Sequence, residues 1–428
     1  MASEITFKTI TLNRENFLNV INPDTQVTET QGYLSWNTGI YGSKTDNAMP
    51  DFLIDVFTNS TGVHQNLINL KAQLVLGNNL QAEDDTKAAE VNPFIAHRNK
   101  SGMNLKQVYA QCSKDFALAN SCVLQVVYNR EGKIAEVYHV PFQNFRLGKM
   151  NKYGQFEFGY ISQNWGIIAN SKQRSGGVKD MVKIRLFDPT NWKKYPVQLL
   201  YLKDYSYSNY AIPSYTAALN WILISREISD FHLNNIRTNF FLSGMLVQKK
   251  GGMTEEQIEE NAQAIEQFYK GKNGRKVLLS YVEDMINDKP VFEKFAGDDQ
   301  DKLFTVLAQQ SFQEIVTAHN AYPILAGYDT KGADLGGDAN KLNIALQAFN
   351  ELVCEGYKDV IVSGFNRILV DVNELPPVAV YTEPLKITLP IQQPEDTTVN
   401  ERRTILFGLP PIDDSTNNAD STNQIPNA

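Results

Sequence analysis

The stretch PSYTAALNWILISREISDFHLNNIRTNFF, residues 213–241, places Leu219, Ile222, Leu223, Ile228, Phe231 and Ile236 at helical spacing. Pro213 suits a first helical turn, where a missing N–H costs nothing. A second helical stretch, DKLFTVLAQQSFQEIVTAHNAY at 301–322, repeats the pattern with Leu303, Phe304, Leu307, Ile315 and Val316, and Pro323 is expected to end it. The segment between them, residues 242–300, has a different rhythm. It reads as a strand at Met245–Gln248, a helix opened by a capping box of Thr254 and Gln257, and strands at Val277–Tyr281 and Val291–Phe295. Ile258, Ala262, Ile265 and Tyr269 form that helix's stripe. Two rods carrying a small α/β lobe between them is the reading on which the fold turns.

Upstream, residues 1–50 read as loops and short strands, and Val63, Leu67, Leu70 and Leu74 predict a helix capped by Ser60 or Thr61 and followed by Gly77. Residues 78–100 read as polar loop. Leu105, Val108, Cys112 and Phe116 predict a second helix with Asn104 as N-cap and Asn120 at its end. The period then changes to two: Val123–Tyr128, a turn at Asn129–Gly132, and Lys133–Val140 form a hairpin, with further strands near Phe156–Tyr160, Val182–Phe187 and Leu199–Tyr205. Downstream, residues 340–371 predict one very long helix. Gly356 and Gly364 lie inside it, and a kink or close packing contact is expected near Gly356. The fold class is therefore α+β. Residues 372–390 could hold a strand, and the Asn-, Asp-, Thr- and Pro-rich tail from 391 predicts a loosely held end.

The chain has 428 residues, 21% of them charged, with a formal net charge of −8. Such a balance argues against a basic surface that grips nucleic acid, because tight phosphate binding needs clustered Lys and Arg. It is compatible with a surface past which nucleic acid slides. Three cysteines, Cys112, Cys122 and Cys354, show no metal or disulfide spacing and read as reduced, buried thiols. No basic region followed by an apolar run opens the chain, so no secretory signal is expected. No stretch approaches the ~18 apolar residues of a membrane span.

The five histidines, His64, His97, His139, His232 and His319, form no H-x-x-x-H or H-E-x-x-H pair, and each read alone is a packed or surface residue. Neither a nucleophile elbow nor a phosphate loop is present. No cofactor, metal or catalytic residue is expected, and the chain does not read as an enzyme. One basic cluster, Lys270, Lys272, Arg275 and Lys276, lies in the lobe, whose overall charge is nonetheless acidic.

The order of these pieces resembles that of tailed-bacteriophage portal proteins. Tyr210–Leu219 is similar to the family's aromatic-x-Pro entry into a stem helix, and Asn234–Gly244 to its Phe-rich, Gly-closed end. Gly271–Leu279 resembles the turn and strand of the clip. Tyr322-Pro323-Ile324-Leu325-Ala326-Gly327 resembles the Pro-Pro-x-Leu-x-Gly tunnel segment, with Tyr in place of the first Pro. Asn120–Tyr128 and Gly132–Pro141 resemble the wing hairpin. The similarity spans roughly residues 50–375; the family's C-terminal crown is only weakly matched.

The resemblance implies a portal-like protomer: a wing over 1–212, stem helices over 213–241 and 301–322, a clip over 242–300, a tunnel loop over 323–339, a long kinked wing helix over 340–371 and a reduced crown and tail over 372–428. It implies a homo-oligomeric ring, usually of twelve copies, at one capsid vertex of the virion, assembled in the host cytoplasm. Double-stranded DNA passes through such a ring. The partners implied are the terminase large subunit, a head-completion or adaptor protein and the major capsid protein, with no membrane. Candidate channel residues are Asp329, Thr330, Lys331, Gly332, Asp334, Gly336 and Gly337; candidate docking residues in the clip are Lys270, Lys272, Arg275 and Lys276. The acidic loop would give weak, mostly repulsive walls, as a conduit requires. Two other readings stay open: a different virion component of the tail or baseplate, and a metal-dependent enzyme acting on nucleic acid, which would need a carboxylate cluster.

Overall fold

The computed structural model describes residues 29–30, 32–39, 46–165, 181–237, 244–249, 254, 256, 258–260, 277–282, 300–327 and 339–382. It divides into two units, one of residues 1–328 with 345–383, the other of 329–344 with 384–428. The second is described only over 339–344, where it begins a helix.

The first unit opens with a minimal hairpin, β1 (Glu29–Thr30) and β2 (Tyr33–Leu34), then α1 (Met49–Asn59) and α2 (Gly62–Leu76). Thr61 caps α2, its side chain accepting from Val63 N. β3 (Gln81–Ala82) and α3 (Ala88–Ala96) follow. The polar reading of 78–100 thus fails over α3: Val91 and Ile95, four apart, are both buried and outweigh the internal Pro93. α4 (Leu105–Ala119) has the full capping box, Asn104 Oδ1 accepting from Gln107 N and Gln107 Oε1 from Asn104 N, each at 3.0 Å. Asn120 closes it in the left-handed conformation, φ 49°. Its stripe of Leu105, Val108, Cys112 and Phe116 is fully covered, each such side chain contributing roughly 1.5–3 kcal/mol.

α4 packs on a six-stranded sheet of order β5-β4-β9-β8-β7-β6. Its strands are β4 (Ser121–Tyr128), β5 (Ile134–Val140), β6 (Phe145–Leu147), β7 (Phe158–Ile161), β8 (Val182–Leu186) and β9 (Val197–Lys203). The pairings are antiparallel except β8 with β9. Arg146 on β6 is fully buried and fastens the N-terminal segment to this sheet. Its guanidinium donates to Asn47 Oδ1 (2.6 Å), Asn47 O (2.9 Å), Gln143 O (3.0 Å) and Phe145 O (2.7 Å), and lies 4.9 Å from the Trp165 ring centroid. Tyr210 completes the attachment, stacked on Trp36 at 4.5 Å and donating to Leu34 O at 2.6 Å.

α5 (Leu219–Arg237) starts later than the periodicity suggests, because Ser214–Ala218 form a 3-10 turn after Pro213. The turn carries Tyr215 inward, where its hydroxyl donates to Leu118 O at 2.6 Å. Residues 238–241, the expected end of this helix, lie outside the described residues. β10 (Gly244–Lys249) pairs in parallel with β11 (Val277–Val282). Between them Ile258 N donates to Thr254 O at 3.0 Å, a first helical turn. Gln257 and the strand expected at Val291–Phe295 lie outside the described residues.

α6 (Gln300–Ala318) stops four residues short of the expected Tyr322. The left-handed Asn320, φ 53°, ends it, and Pro323 instead opens a 3-10 turn to Ala326 closed by Gly327 at φ 79°. The last helix is continuous but irregular: α7 (Ala339–Phe349), a π-helical stretch (Asn350–Cys354), α8 (Glu355–Asn366) and a second π-helical stretch (Arg367–Val372). The expected irregularity falls just before Gly356. The close contact falls at Gly364 instead, where an added Cβ would lie 2.2 Å from Leu202 Cδ1; around Gly356 there is open space. Finally β12 (Val378–Ala379) pairs antiparallel with β3.

Candidate functional site

α5 and α6 run out of the body together. On α5, Leu219 and Ile222 are buried, whereas Phe231, Leu233 and Ile236 farther along are 40%, 42% and 59% exposed. On α6 the gradient reverses: Val306 near its start is 49% exposed, and Ser311, Ile315 and Val316 near its end are buried. One helix leaves the core as the other returns. They hold each other through stacked rings, Phe231 on Phe304 at 4.6 Å, with His232 edge-on to Phe304 at 5.6 Å. At the body end, Arg226 of α5 pairs with Asp55 of α1 at 2.9 Å. The parallel strands β10 and β11 lie in the chain between the two rods, and parallel pairing requires the long crossover that separates them.

The foot of this stalk is a buried polar cluster that sequence spacing does not show. His64 on α2 and His319, just past the end of α6, are 0% and 1% exposed, and their Nδ1 and Nε2 atoms lie 3.0 Å apart. Tyr215 stacks on His319 at 5.1 Å and meets His64 edge-on at 4.7 Å. Below them Lys71, also fully buried, donates to Ser214 Oγ at 3.2 Å and sits 5.5 Å from the Tyr357 ring centroid. Burial pulls the Lys71 ammonium down to about 8, Cys354 opposing slightly. Burial, then the Lys71 cation, pulls His64 down to about 3 and His319 well below the ordinary histidine value. Both imidazoles are therefore neutral at pH 7. Beside the foot, Asn66 donates to Leu325 O at 3.1 Å, anchoring the 3-10 turn that leads toward residue 328.

A second buried lysine explains the first π-helical stretch. Lys358 bonds Glu355 Oε1 at 2.5 Å, Asn350 Oδ1 at 3.0 Å and Thr382, and Asn350 in turn donates to Glu355 at 2.7 Å. Side chains bonding across the helix at this point compensate for the widened turn.

The channel candidates Asp329, Thr330, Lys331, Gly332, Asp334, Gly336 and Gly337 lie outside the described residues, as do the clip candidates Lys270, Lys272, Arg275 and Lys276. Among the described residues no three His, Cys, Asp or Glu side chains converge as a metal ion would require. No described helix is long and apolar enough to cross a membrane. What the residues do offer is exposed apolar surface on the stalk and on the long helix, where Leu352 is 80% exposed.

No family model and no curated protein sequence matches the chain. Among solved structures, a chain from the neck of an empty GTA particle, computed with C6 symmetry, superposes with a TM-score of 0.50 at 15% identity, over 87% of this chain and 96% of that one. The two chains share a fold. A chain from the virion of a native gene transfer agent (GTA) particle gives 0.48 at 14% identity, over 85% and 94%. An HK97-family phage portal protein from Corynebacterium diphtheriae gives 0.41 at 10% identity, over 77% and 95%.

Proposed function

We propose that this protein is a phage portal protein, the ring-forming subunit of a head-to-tail connector at a unique vertex of the virion. The observation that carries the reading is the pair of opposed burial gradients on α5 and α6: two mutually packed helices leave the core and come back with a β-containing segment between them. The shared fold with a neck chain of a GTA particle supports it over most of both chains. Exposed apolar side chains on a stalk are costly in a monomer and useful in a closed ring, whose head-to-tail contacts cover them.

In this reading the α5–α6 stalk lines the ring, the clip (242–300) docks the terminase large subunit and later a head-completion protein, and the acidic, glycine-rich segment 329–337 faces passing double-stranded DNA. Asp329 and Asp334 outnumber Lys331, so the wall repels phosphates weakly and does not hold them. The protein supplies no hydrolysis; the motor partner does.

Mass photometry and negative-stain imaging of the purified chain test the ring. Closed rings with an axial opening wide enough for a DNA duplex are expected; monomers in every buffer would reject the proposal. Deleting 329–337 is expected to leave ring assembly intact and to impair DNA packaging, and a normal packaged length in that deletion would remove the loop's role.

A further inference from the structure

The His64–His319 contact joins the end of the returning stalk helix to α2 of the body, and its hydrogen-bond arithmetic does not close. A neutral pair carries two N–H groups. One lies in the shared bond; the other must sit on His64 Nε2 or His319 Nδ1, depending on which ring donates. Among the described residues both of those buried atoms are without a partner. A buried N–H left unpaired costs about 1–3 kcal/mol. A third proton would leave both outer atoms as unpaired donors and add a full charge. The charge that bears on both rings is the Lys71 cation. The other groups around the cluster give no relief: Tyr215 presents its ring, with its hydroxyl spent on Leu118 O. Tyr357 faces Lys71, Asp204 acts on Tyr357, and Glu355 acts on Cys354 while bonded to Lys358.

We propose that His64 and His319 form an acid-labile latch that clamps the second stalk helix to the body, and that a proton on either ring drives the foot of the stalk open against Lys71. The inference concerns this chain's own mechanics and stands whether or not the ring reading holds.

The direction follows from linkage. The latched rings bind protons only far below the ~6.5 of a free imidazole. Below pH ~6.5 the opened state takes up protons that the latched state refuses. The latch is therefore at full strength above pH ~6.5 and weakens as the pH falls. Each ring multiplies the opening constant by about ten per pH unit, and the pair by up to about a hundred.

The test is amide hydrogen exchange by mass spectrometry on the full chain between pH 7.5 and 5.0, with rates corrected for intrinsic exchange. Peptides covering 60–72 and 311–322 are expected to open at least about tenfold more per pH unit below ~6.5, with β4 and β9 unchanged. His319→Gln is expected to lower the slope, and Lys71→Met to leave the onset near pH ~6.5, which the opened state sets. Flat exchange at the foot in the unmodified protein overturns the proposal, whether or not the variants fold. So does a loss of protection spread evenly over the chain, or a slope that His319→Gln leaves unchanged.

Discussion

The ring of Phe231 stacks on that of Phe304 with centroids 4.6 Å apart, at a level where both stalk helices have left the cover of the core. His232 adds an edge-on contact to Phe304 at 5.6 Å. Phe304→Ala removes the ring pair, worth about 0.5–1.5 kcal/mol beyond area burial, together with part of the side chain's buried surface. A total loss of about 1–2 kcal/mol is expected. A double-mutant cycle with Phe231→Ala is expected to return a coupling of about 1 kcal/mol in thermal unfolding. Additive effects would show that the two helices do not depend on this contact.

Gly364 and Gly356 sit in the same helix and make opposite demands. A methyl group at Gly364 meets Leu202 Cδ1, Cδ2 and Cγ at 2.2, 2.6 and 2.9 Å, so α8 would have to lift from β9. Overpacking of this kind costs about 1–3 kcal/mol, set against the ~1 kcal/mol a helix gains from Ala over Gly. Gly364→Ala is expected to lower the melting temperature. Gly356→Ala, with open space around it, is expected to raise it. Equal shifts of the same sign in both variants would contradict the packing described.

How much of this was legible in the sequence depends on the range of the forces involved. The α4 stripe and its Asn104–Gln107 box are local, and the sequence displays them in full. The α5 and α6 periodicities are also local, but their ends are not. Tyr215 bends Ser214–Ala218 into a 3-10 turn because Leu118 O lies within reach, and that acceptor is 97 residues away. α3 was hidden by Pro93 and polar neighbours; its cue, Val91 and Ile95 four apart, was there to be read. At the first π-helical stretch Lys358 meets Thr382, 24 residues on, a contact no periodicity announces. The His64–His319 pair spans 255 residues. Each histidine taken singly reads as a packed or surface residue, and only the fold reveals that the two rings meet.

Arg146 offers a sharper test of what fixes the N-terminal segment. Its four donations radiate from one planar fork, three of them to backbone carbonyls, and burial pulls the guanidinium down to about 10. Lysine keeps the charge but cannot span Asn47 and the Gln143 and Phe145 carbonyls together. Arg146→Lys is therefore expected to cost about 3–5 kcal/mol, the range for breaking a buried charged network. Limited proteolysis is expected to cut first within residues 33–48. If Arg146→Lys melts within about 1 kcal/mol of the parent, the segment is held by Tyr210 and Trp36 instead.

The thiols bring the core and the latch into one measurement. Cys112, Cys122 and Cys354 are free and fully buried. Burial raises the Cys112 thiol well above its ordinary value and pushes Cys354 up to about 12, Lys71 and Lys358 pulling weakly the other way. Because a reagent must reach the sulfur, none of the three buried thiols is expected to react within minutes at pH 8, and all three are expected to react after denaturation. Acid should separate them. A disulfide reagent that stays active at pH 5 attacks whatever local opening exposes, and Cys354 belongs to the electrostatic neighbourhood of Lys71, whereas Cys112 and Cys122 interact with each other between α4 and β4. Opening at the foot is therefore expected to label Cys354 ahead of the other two at pH 5, and His319→Gln to make that lead less dependent on pH. Simultaneous labelling of all three would mean that acid unfolds the body as a whole, with no separate movement of the stalk foot.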